Sequence, residues 1–253
     1  MKAEGKTTMR NILITGATSG VGRALVEKMS RTDRVICAGR NRDVLDALAK
    51  IDGVADTVSC DLADPAACRA LLEGRVIDVL VNNAGVLPSR EGFADLPVDA
   101  IDAMVDVNFR GVAHLTQAAL RQMQVRGQGH IVFVGSSAGR FPHPGATVYG
   151  ASKAAVSLFA DALRAELAEW RIRVTEVAPG RTRSNLYRDA INDASDELYD
   201  AYEPLEPGDV ADAIAYALNA PAHVDVSRIE IMPIGQVAGG GRTLRRDEMK
   251  TVK

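Results

Sequence analysis

Residues 11–22 read NILITGATSGVG, an apolar run of strand length that enters a turn with three glycines. Glycine lets the backbone turn sharply and approach a pyrophosphate closely. A helix after such a turn presents unpaired N–H groups and the positive end of its dipole to bound phosphates. The stretch therefore predicts the start of a βαβ unit with a nucleotide at the turn. A tight strand–helix turn without a ligand is the alternative interpretation.

The alternation of strand and helix patterns continues along the chain. Runs this apolar are typical of strands covered on both faces, and the helical segments between them imply right-handed crossovers. The sequence thus predicts an α/β fold: a single-domain, doubly wound (Rossmann) parallel sheet of about seven strands. The predicted strands are 11–15, 34–38, 56–60, 76–81, 130–135, 172–177 and 228–231. The predicted helices are 20–30, 42–50, 65–73, 98–125, 148–170 and 209–219.

No internal repeat, charge block or linker divides the 253 residues, so one domain is expected over residues 9–237. Residues 1–8 are expected to form a disordered leader. Residues 182–207 are polar and follow a strand's carboxyl end, where an insertion lies over the ligand crevice of a doubly wound fold. We interpret them as a substrate cap. Residues 238–253 are expected to form a flexible tail.

The composition argues against several classes of protein. Lys and Arg number 30 against 33 Asp and Glu, a net charge of −3 without the basic excess of nucleic-acid-binding proteins. No apolar run reaches about 18 residues, so no membrane span is expected. The three cysteines form no C-x-x-C pair or zinc-like cluster. We therefore expect no metal site and a cytoplasmic protein with reduced thiols.

The end of the predicted second strand, Ala38-Gly39-Arg40-Asn41-Arg42, bears on the choice of nucleotide. A carboxylate there would bind the ribose 2′-OH of NAD, whereas an arginine accommodates the 2′-phosphate of NADP. Gly39 occupies the carboxylate's position and Arg40 follows, which favours NADP(H) as the cofactor. Two observations oppose this: Arg40 and Arg42 also suit a solvated helix start, and Ser19 stands where NADP enzymes often carry a basic residue.

Four polar residues are candidates for catalysis. Tyr149 and Lys153 are four residues apart, so a helix would place both on one face. An ammonium beside a phenol favours the phenolate and lowers the tyrosine pKa toward the range that proton transfer needs. Ser136 directly follows a predicted strand at the ligand-binding edge, and Asn108 lies in an amphipathic segment. Taken singly, Tyr149 with Lys153 is also typical of a surface pair and Ser136 of a turn. Asn108 alone is also typical of a satisfied helical asparagine or of a local helix distortion.

In this order the motifs resemble those of the short-chain dehydrogenase/reductase family, over about residues 9–236. The motifs are the 15–22 turn, Asp61, Asn82-Asn83-Ala84-Gly85, Asn108, Ser136, Tyr149 with Lys153, and Pro179-Gly180. The separation of Ser136 from Tyr149 is also the family's and selects Ser136 over Ser137. The resemblance implies an NADP-dependent enzyme that interconverts an alcohol and a carbonyl on a small molecule.

The resemblance also implies a role for each residue. Tyr149 would be the general acid/base, and Lys153 would bind the nicotinamide ribose and lower the pKa of Tyr149. Ser136 would position the carbonyl oxygen, and Asn108 would hold a water that relays protons. The implied cofactor-binding residues are Gly16, Ser19, Gly20, Val21, Gly22, Arg40, Asp61, Leu62, Asn82, Ala84, Gly85, Tyr149, Lys153, Pro179, Gly180 and Ser184.

Residues 135–149, 173–180 and 221–236 are similar to one branch of the family, the NADP-dependent 3-hydroxy acid (serine-type) dehydrogenases and sulfoacetaldehyde reductases. After the Pro-Gly, where that branch usually has Glu-Phe-Ser, this chain has Arg183-Ser184-Asn185. Four arginines are expected on loops around the crevice, where they would suit a carboxylate or sulfonate. Solvated surface charge is the alternative, and a nearby histidine, His143, is most simply exposed. The four arginines are Arg140, Arg181, Arg183 and Arg188.

Three functions remain open at this point. The first is a reductase or dehydrogenase for a small polar substrate, and the arginines would suit an anionic one. The second is a biosynthetic ketoreductase for a bulkier or carrier-bound ketone. The third is a non-catalytic, nucleotide-binding regulator, against which the four intact catalytic positions argue. The family resemblance further implies a homotetramer (or dimer) in which helices 98–125 and 148–170 pack across a two-fold axis.

Overall fold

The computed structural model of the protein describes residues 9–186, 190, 199, 203–236, 244, 245 and 249. The predicted leader, residues 1–8, and most of the predicted tail lie outside the described residues. Within that tail, the N–H of Leu244 donates to the carbonyl of Gly235. The disordered leader and the flexible tail stay predictions.

All the described strands belong to one parallel sheet. They are β1 (Asn11–Thr15), β2 (Arg34–Gly39), β3 (Val54–Ser59), β4 (Val79–Asn82), β5 (Gln128–Val134), β6 (Arg171–Pro179) and β7 (Arg228–Ile231). The order across the sheet is β3-β2-β1-β4-β5-β6-β7. This confirms the predicted doubly wound sheet. β4 begins at Val79, later than the predicted Val76, and the Asp78 carboxylate just before it accepts the Asn11 N–H at 2.8 Å.

Helices cover both faces of the sheet. The described α-helices are α1 (Gly20–Met29), α2 (Arg42–Leu48), α3 (Pro65–Ala70), α4 (Val98–Val105), α5 (Gly111–Arg126), α6 (Thr147–Glu166) and α7 (Pro207–Asn219). Successive strand residues face opposite sides, so Leu13 belongs to the core cluster that includes α3, α5 and α6. Ile12 and Ile14 belong to the cluster that includes α1, α2 and α7. Within the described part of the chain, none of the helices has the length and apolar character to span a membrane.

A π-helical turn, Asp106–Arg110, joins α4 to α5, where the sequence predicted one helix over residues 98–125. Asn108 lies in this turn and is fully buried. Its side chain accepts the Val86 N–H at 2.7 Å and donates to the Val86 carbonyl at 3.0 Å. π turns frequently occur at functional sites. The local helix distortion at Asn108, one of the two alternatives from the sequence, is the one that the structure has. Apolar spacing does not reveal the accompanying contact with Val86, 22 residues away.

The sheet positions a crevice at its carboxyl edge. Chain order runs outward in both directions from the neighbouring strands β1 and β4. In such sheets ligands bind outside the strand ends at that reversal. The first and last described parts of the predicted cap meet beside this edge, through a β-bridge between Thr182 and Leu205. Residues 187–189, 191–198 and 200–202 of the cap lie outside the described residues.

Candidate active site

The turn between β1 and α1 approaches the end of β4 so closely that side chains do not fit between them. Gly16 has a φ of 64°, and a Cβ on it would lie 2.9 Å from the Cα of Ala84. A Cβ on Gly22 would lie 2.2 Å from the carbonyl oxygen of Gly16. Ser19, Gly20 and Val21 then line the cavity at the start of α1. This arrangement presents backbone N–H groups to an anion.

The two asparagines at the end of β4, Asn82 and Asn83, point to different surroundings. The side-chain amide of Asn83 donates to the carbonyl oxygen of Thr15 at 2.8 Å and so holds the glycine turn in place. Asn82, a predicted cofactor residue, is 3% exposed and donates instead to the hydroxyl of Thr116 at 3.1 Å. The side chain of Asn82 therefore lies inside the fold, whereas Ala84 and Gly85 line the cavity.

One end of the cavity lies beyond the glycine turn, where Arg40, Asp61 and Leu62 come together. Arg40 is exposed and follows β2. A Cβ on Gly39 would lie 2.7 Å from Cγ2 of Thr18. An acidic side chain at that position, which would bind a ribose 2′-OH, would meet the Thr18 side chain, and the Arg40 guanidinium follows directly. This end suits a nucleotide with a 2′-phosphate.

Helix α6 presents Tyr149 and Lys153 one turn apart on the cavity side. Both are buried, and Nζ of Lys153 lies 5.9 Å from the centroid of the Tyr149 ring. The ammonium donates to the carbonyl oxygen of Val134 at 2.9 Å. Burial lowers the pKa of Lys153 to about 8, against the opposing effect of the Glu176 carboxylate. The group beside the phenol is therefore an ammonium whose pKa is only slightly above neutral pH.

A chain of hydrogen bonds connects the π turn to α6. Nδ2 of Asn108 donates to the Ser152 hydroxyl at 3.1 Å, and that hydroxyl donates to the Tyr149 carbonyl at 2.7 Å. A Cβ on Gly85 would lie 3.4 Å from both Oδ1 of Asn108 and Nζ of Lys153. Asn108 and Lys153 therefore both approach Gly85, on the side where its Cβ would stand.

Ser136 follows β5 and begins the short 3-10 turn Ser137–Gly139. Its hydroxyl oxygen accepts the Ala138 N–H at 3.1 Å, which leaves the O–H able to donate to a ligand. Ser137 is more deeply buried, and its oxygen lies 3.4 Å from the amide nitrogen of Gln236. Both serines line the cavity, so the choice of Ser136 over Ser137 stays a prediction.

The loop after β6 crosses the cavity. Pro179 ends the strand, and Gly180 and Ser184 also line the cavity. The carbonyl oxygen of the Gln236 side chain accepts the Arg181 N–H at 2.7 Å. Cβ of Ser184 lies 3.8 Å from the position that a Cβ on Gly20 would take. The start of the predicted cap thus reaches the glycine turn on the opposite side.

Two arginines, Arg90 and Arg181, line the cavity together with His143. Partial burial lowers the pKa of His143, and the charges of Arg90 and Arg181 lower it further. Both arginines and His143 line this cavity, so the local charge is positive. A positive potential there can attract an anionic group while leaving the imidazole neutral.

The four arginines predicted around the crevice differ in their positions. Arg181 lines the cavity, as predicted. Arg140 pairs with Glu230 at 2.9 Å, and Arg183 pairs with Glu206 at 2.9 Å. These two bind partners that are distant in sequence instead of lining the cavity, so their prediction was wrong. Arg188 lies outside the described residues.

The part of the cavity lined by Tyr149, Lys153 and Arg181 has a volume of about 630 Å³, within the range of cofactor and small-molecule sites. Two observations indicate that the residues present fit NADP(H). The glycine turn leaves no room for side chains, and Arg40 follows Gly39, where a larger side chain would meet Thr18. Among the described residues, no group of three or more His, Cys, Asp or Glu side chains is arranged to hold a metal ion.

Comparison with known proteins agrees with this geometry. The short chain dehydrogenase family model matches residues 10–195. The chain belongs to the short-chain dehydrogenase family. An uncharacterised short-chain type dehydrogenase/reductase of Sinorhizobium fredii is 48% identical over 233 residues, which cover 91% of this chain and 94% of that protein. The predicted family and its oxidoreductase class are confirmed.

Two further short-chain dehydrogenases belong to the branch that the sequence resembles. Sulfoacetaldehyde reductase 2 of Chromohalobacter salexigens is 38% identical over 238 residues, 89% of this chain and 94% of that protein. The closed form of serine dehydrogenase, solved with NADP+, has a TM-score of 0.87 and 32% identity, and the match covers 93% of this chain and 100% of that one. The predicted branch is confirmed.

Sequence reasoning missed several residues of the site. Asn83 was quoted only as part of a motif, although an amide after a buried strand can hold a neighbouring turn. Arg90 follows the same strand, on a loop whose path past Pro144 has no local sequence signal. Glu176 carried a signal, since a carboxylate inside the apolar run of β6 must find a partner when buried.

Proposed function

We propose that the protein is an NADP(H)-dependent oxidoreductase that interconverts an alcohol and a carbonyl on a small anionic substrate. The observation that carries the proposal is the shared cavity, in which the buried Tyr149–Lys153 pair and the arginines Arg90 and Arg181 line the same space. NADPH, when bound, supplies the hydride that reduces the carbonyl carbon. The names of the similar enzymes, which act on sulfoacetaldehyde and serine, support the same class of substrate.

Tyr149 is the proton donor to the carbonyl oxygen. Charge grows on that oxygen as the hydride arrives, so a positioned acid there lowers the barrier. The ammonium of Lys153 stabilises the phenolate that remains. Its hydrogen bond to the Val134 carbonyl holds it beside the ring in the absence of substrate.

Ser136 and Asn108 support this transfer from two sides. The Ser136 O–H donates to the same carbonyl oxygen and keeps it in place for protonation. Asn108, behind Lys153, holds the water through which the proton on Tyr149 is replaced. Its own position is fixed by two hydrogen bonds to the backbone of Val86.

Arg90 and Arg181 bind the anionic end of the substrate. Their combined effect on His143 indicates that both charges reach the same region. A guanidinium binds a carboxylate or sulfonate through two parallel hydrogen bonds, which orients the substrate as well as holding it. The neutral His143 imidazole can add a third hydrogen bond.

The test is NADPH oxidation against three aldehydes of equal length: one carrying a carboxylate, one a sulfonate and one neither. We expect kcat/KM to be higher for the anionic aldehydes by about 10-fold or more, the effect of one charge-assisted hydrogen bond. Preference for the neutral aldehyde would contradict the substrate class, and no oxidation with any carbonyl would contradict the activity itself.

Two variants separate binding of the anion from general damage. Arg181→Gln should raise KM for the anionic aldehydes and leave the neutral one unchanged. Arg183→Gln is the matched control, because it removes the neighbouring arginine that pairs with Glu206. Equal effects of the two variants on the anionic aldehydes would refute a specific role for Arg181.

A further inference from the structure

Glu176 is a carboxylate buried in the middle of β6, with 1% of its surface exposed. Its Oε2 accepts from Nε of Arg228 at 2.7 Å and from the Ser157 hydroxyl at 3.0 Å. Burial of a charge is costly unless the charge is paired and hydrogen-bonded. Arg228, the first residue of β7, is aligned with Glu176 across the two strands and supplies that pairing.

This pair lies directly behind the proposed catalytic groups. Oε1 of Glu176 lies 2.5 Å from the position that a Cβ on Gly135 would take. Gly135 separates Val134, whose carbonyl binds Lys153, from Ser136. Side chains four residues apart share one face of a helix, so the Ser157 that binds Glu176 continues the row begun by Tyr149 and Lys153.

Lys153 is surrounded by charged groups from two strands and by one titratable neighbour on its own helix. On α6 the neighbour is Tyr149, and Asp161 lies two turns further on, where it binds Arg228 at 3.2 Å. The negative charge of Glu176 comes from β6. The positive charge of Arg228 comes from β7 and is paired with the Glu176 carboxylate. The π turn and β5 face Lys153 with uncharged groups, the Asn108 amide and the Val134 carbonyl. Glu176 also opposes the lowering of the Lys153 pKa by burial.

We propose that the Glu176–Arg228 pair is a positioning pair that sets the pH range over which Tyr149 and Lys153 hold their protons. The proposal rests on the proposed function of Tyr149 as proton donor. The negative charge of Glu176 favours the protonated forms of both groups, and Arg228, paired with Glu176, partly offsets that charge. Neither residue touches the substrate.

The test is the pH profile of kcat for carbonyl reduction, which falls as the proton donor is lost at high pH. Glu176→Gln removes a negative charge and leaves Arg228, so both groups lose protons more easily. We expect the midpoint to move down by about one pH unit, the smaller effect of a neighbouring charge. The double variant Glu176→Gln with Arg228→Met removes both charges, so its midpoint should lie between those of the single variant and the parent.

Asp161→Asn is the matched control, because it removes another carboxylate bound to Arg228 at a distance from Lys153. Its midpoint should equal the parent's. A merely structural role would lower kcat at every pH without moving the midpoint, and that result would overturn the proposal. A double variant whose midpoint equals the parent's would also overturn the proposal. This second comparison still tests the proposal if Glu176→Gln alone fails to fold.

A second measurement does not depend on turnover. The ultraviolet absorbance of tyrosinate, compared between each protein and the same protein carrying Tyr149→Phe, follows the Tyr149 phenol alone. The same order of midpoints is expected: Glu176→Gln lowest, then the double variant, then the parent. If the parent reduces no carbonyl but this order holds, the proposed function fails and the positioning pair stands. If the parent reduces carbonyls and the order is absent, the positioning pair fails alone.

Discussion

Replacing the buried lysine of the site should make the protein more stable at neutral pH. Lys153 is 5% exposed, and burial lowers its pKa from 10.5 to about 8. At about 1.4 kcal/mol for each pH unit, this corresponds to about 3 kcal/mol by which the fold disfavours the protonated amine. Lys153→Met removes that cost but also loses the hydrogen bond to Val134, worth about 1 kcal/mol. The net gain at pH 7 is then about 2 kcal/mol.

The sign of the pH dependence follows from linkage. The unfolded chain binds more protons than the folded one between pH 8 and 10.5, so the cost of Lys153 is fully present below about pH 8 and disappears as the pH rises toward 10.5. The advantage of Lys153→Met should therefore be present at pH 7 and lost at pH 10.

The assay is urea unfolding of the two proteins at pH 7 and pH 10, followed by circular dichroism without added cofactor. Lys28→Met serves as the control, because Lys28 is a partly exposed lysine in a surface ion pair with Asp212. It should show little difference from the parent at either pH. A Lys153→Met protein that is less stable than the parent at pH 7, or whose difference does not change with pH, would refute the reasoning.

Three other outcomes are expected. Arg40→Ala should weaken NADPH binding by about 1.5–3 kcal/mol and leave NADH binding nearly unchanged, as measured by cofactor fluorescence; equal losses for both nucleotides would contradict this. Tyr149→Phe should slow single-turnover hydride transfer at least about 100-fold with NADPH still bound, and a near-parent rate would place the chemistry elsewhere. Gly22→Ala should weaken NADPH binding and cost about 1–3 kcal/mol of stability, because its Cβ meets the Gly16 carbonyl at 2.2 Å. Gly208→Ala, in open space at the start of α7, is its control and should unfold no earlier than the parent.

Much of the fold could be predicted because its signals are local. Each strand is a short apolar run, and the alternation with helices leaves few arrangements for the sheet. The pairing of Tyr149 with Lys153 was equally local, since four residues make one helical turn. The contact made by the Asp106–Arg110 turn was not local, because Asn108 binds the backbone of Val86, which belongs to another part of the chain.

The electrostatics of the site depended on contacts that no local window contains. Arg140 and Arg183 resemble Arg181 in sequence, but Glu230 and Glu206 hold them in ion pairs. Those partners lie 90 and 23 residues further along the chain. Charge type could be predicted from the sequence, whereas the direction of each side chain depended on the tertiary fold.

The hydrogen bonds of Lys153 and Asn108 to the main chain have an evolutionary consequence. Lys153 binds the carbonyl of Val134, and Asn108 binds both backbone groups of Val86. A substitution at position 134 or 86 changes a side chain but leaves the peptide groups where they were, provided that the backbone keeps its path. The surrounding sequence can therefore diverge widely among descendants while these two residues keep their anchors.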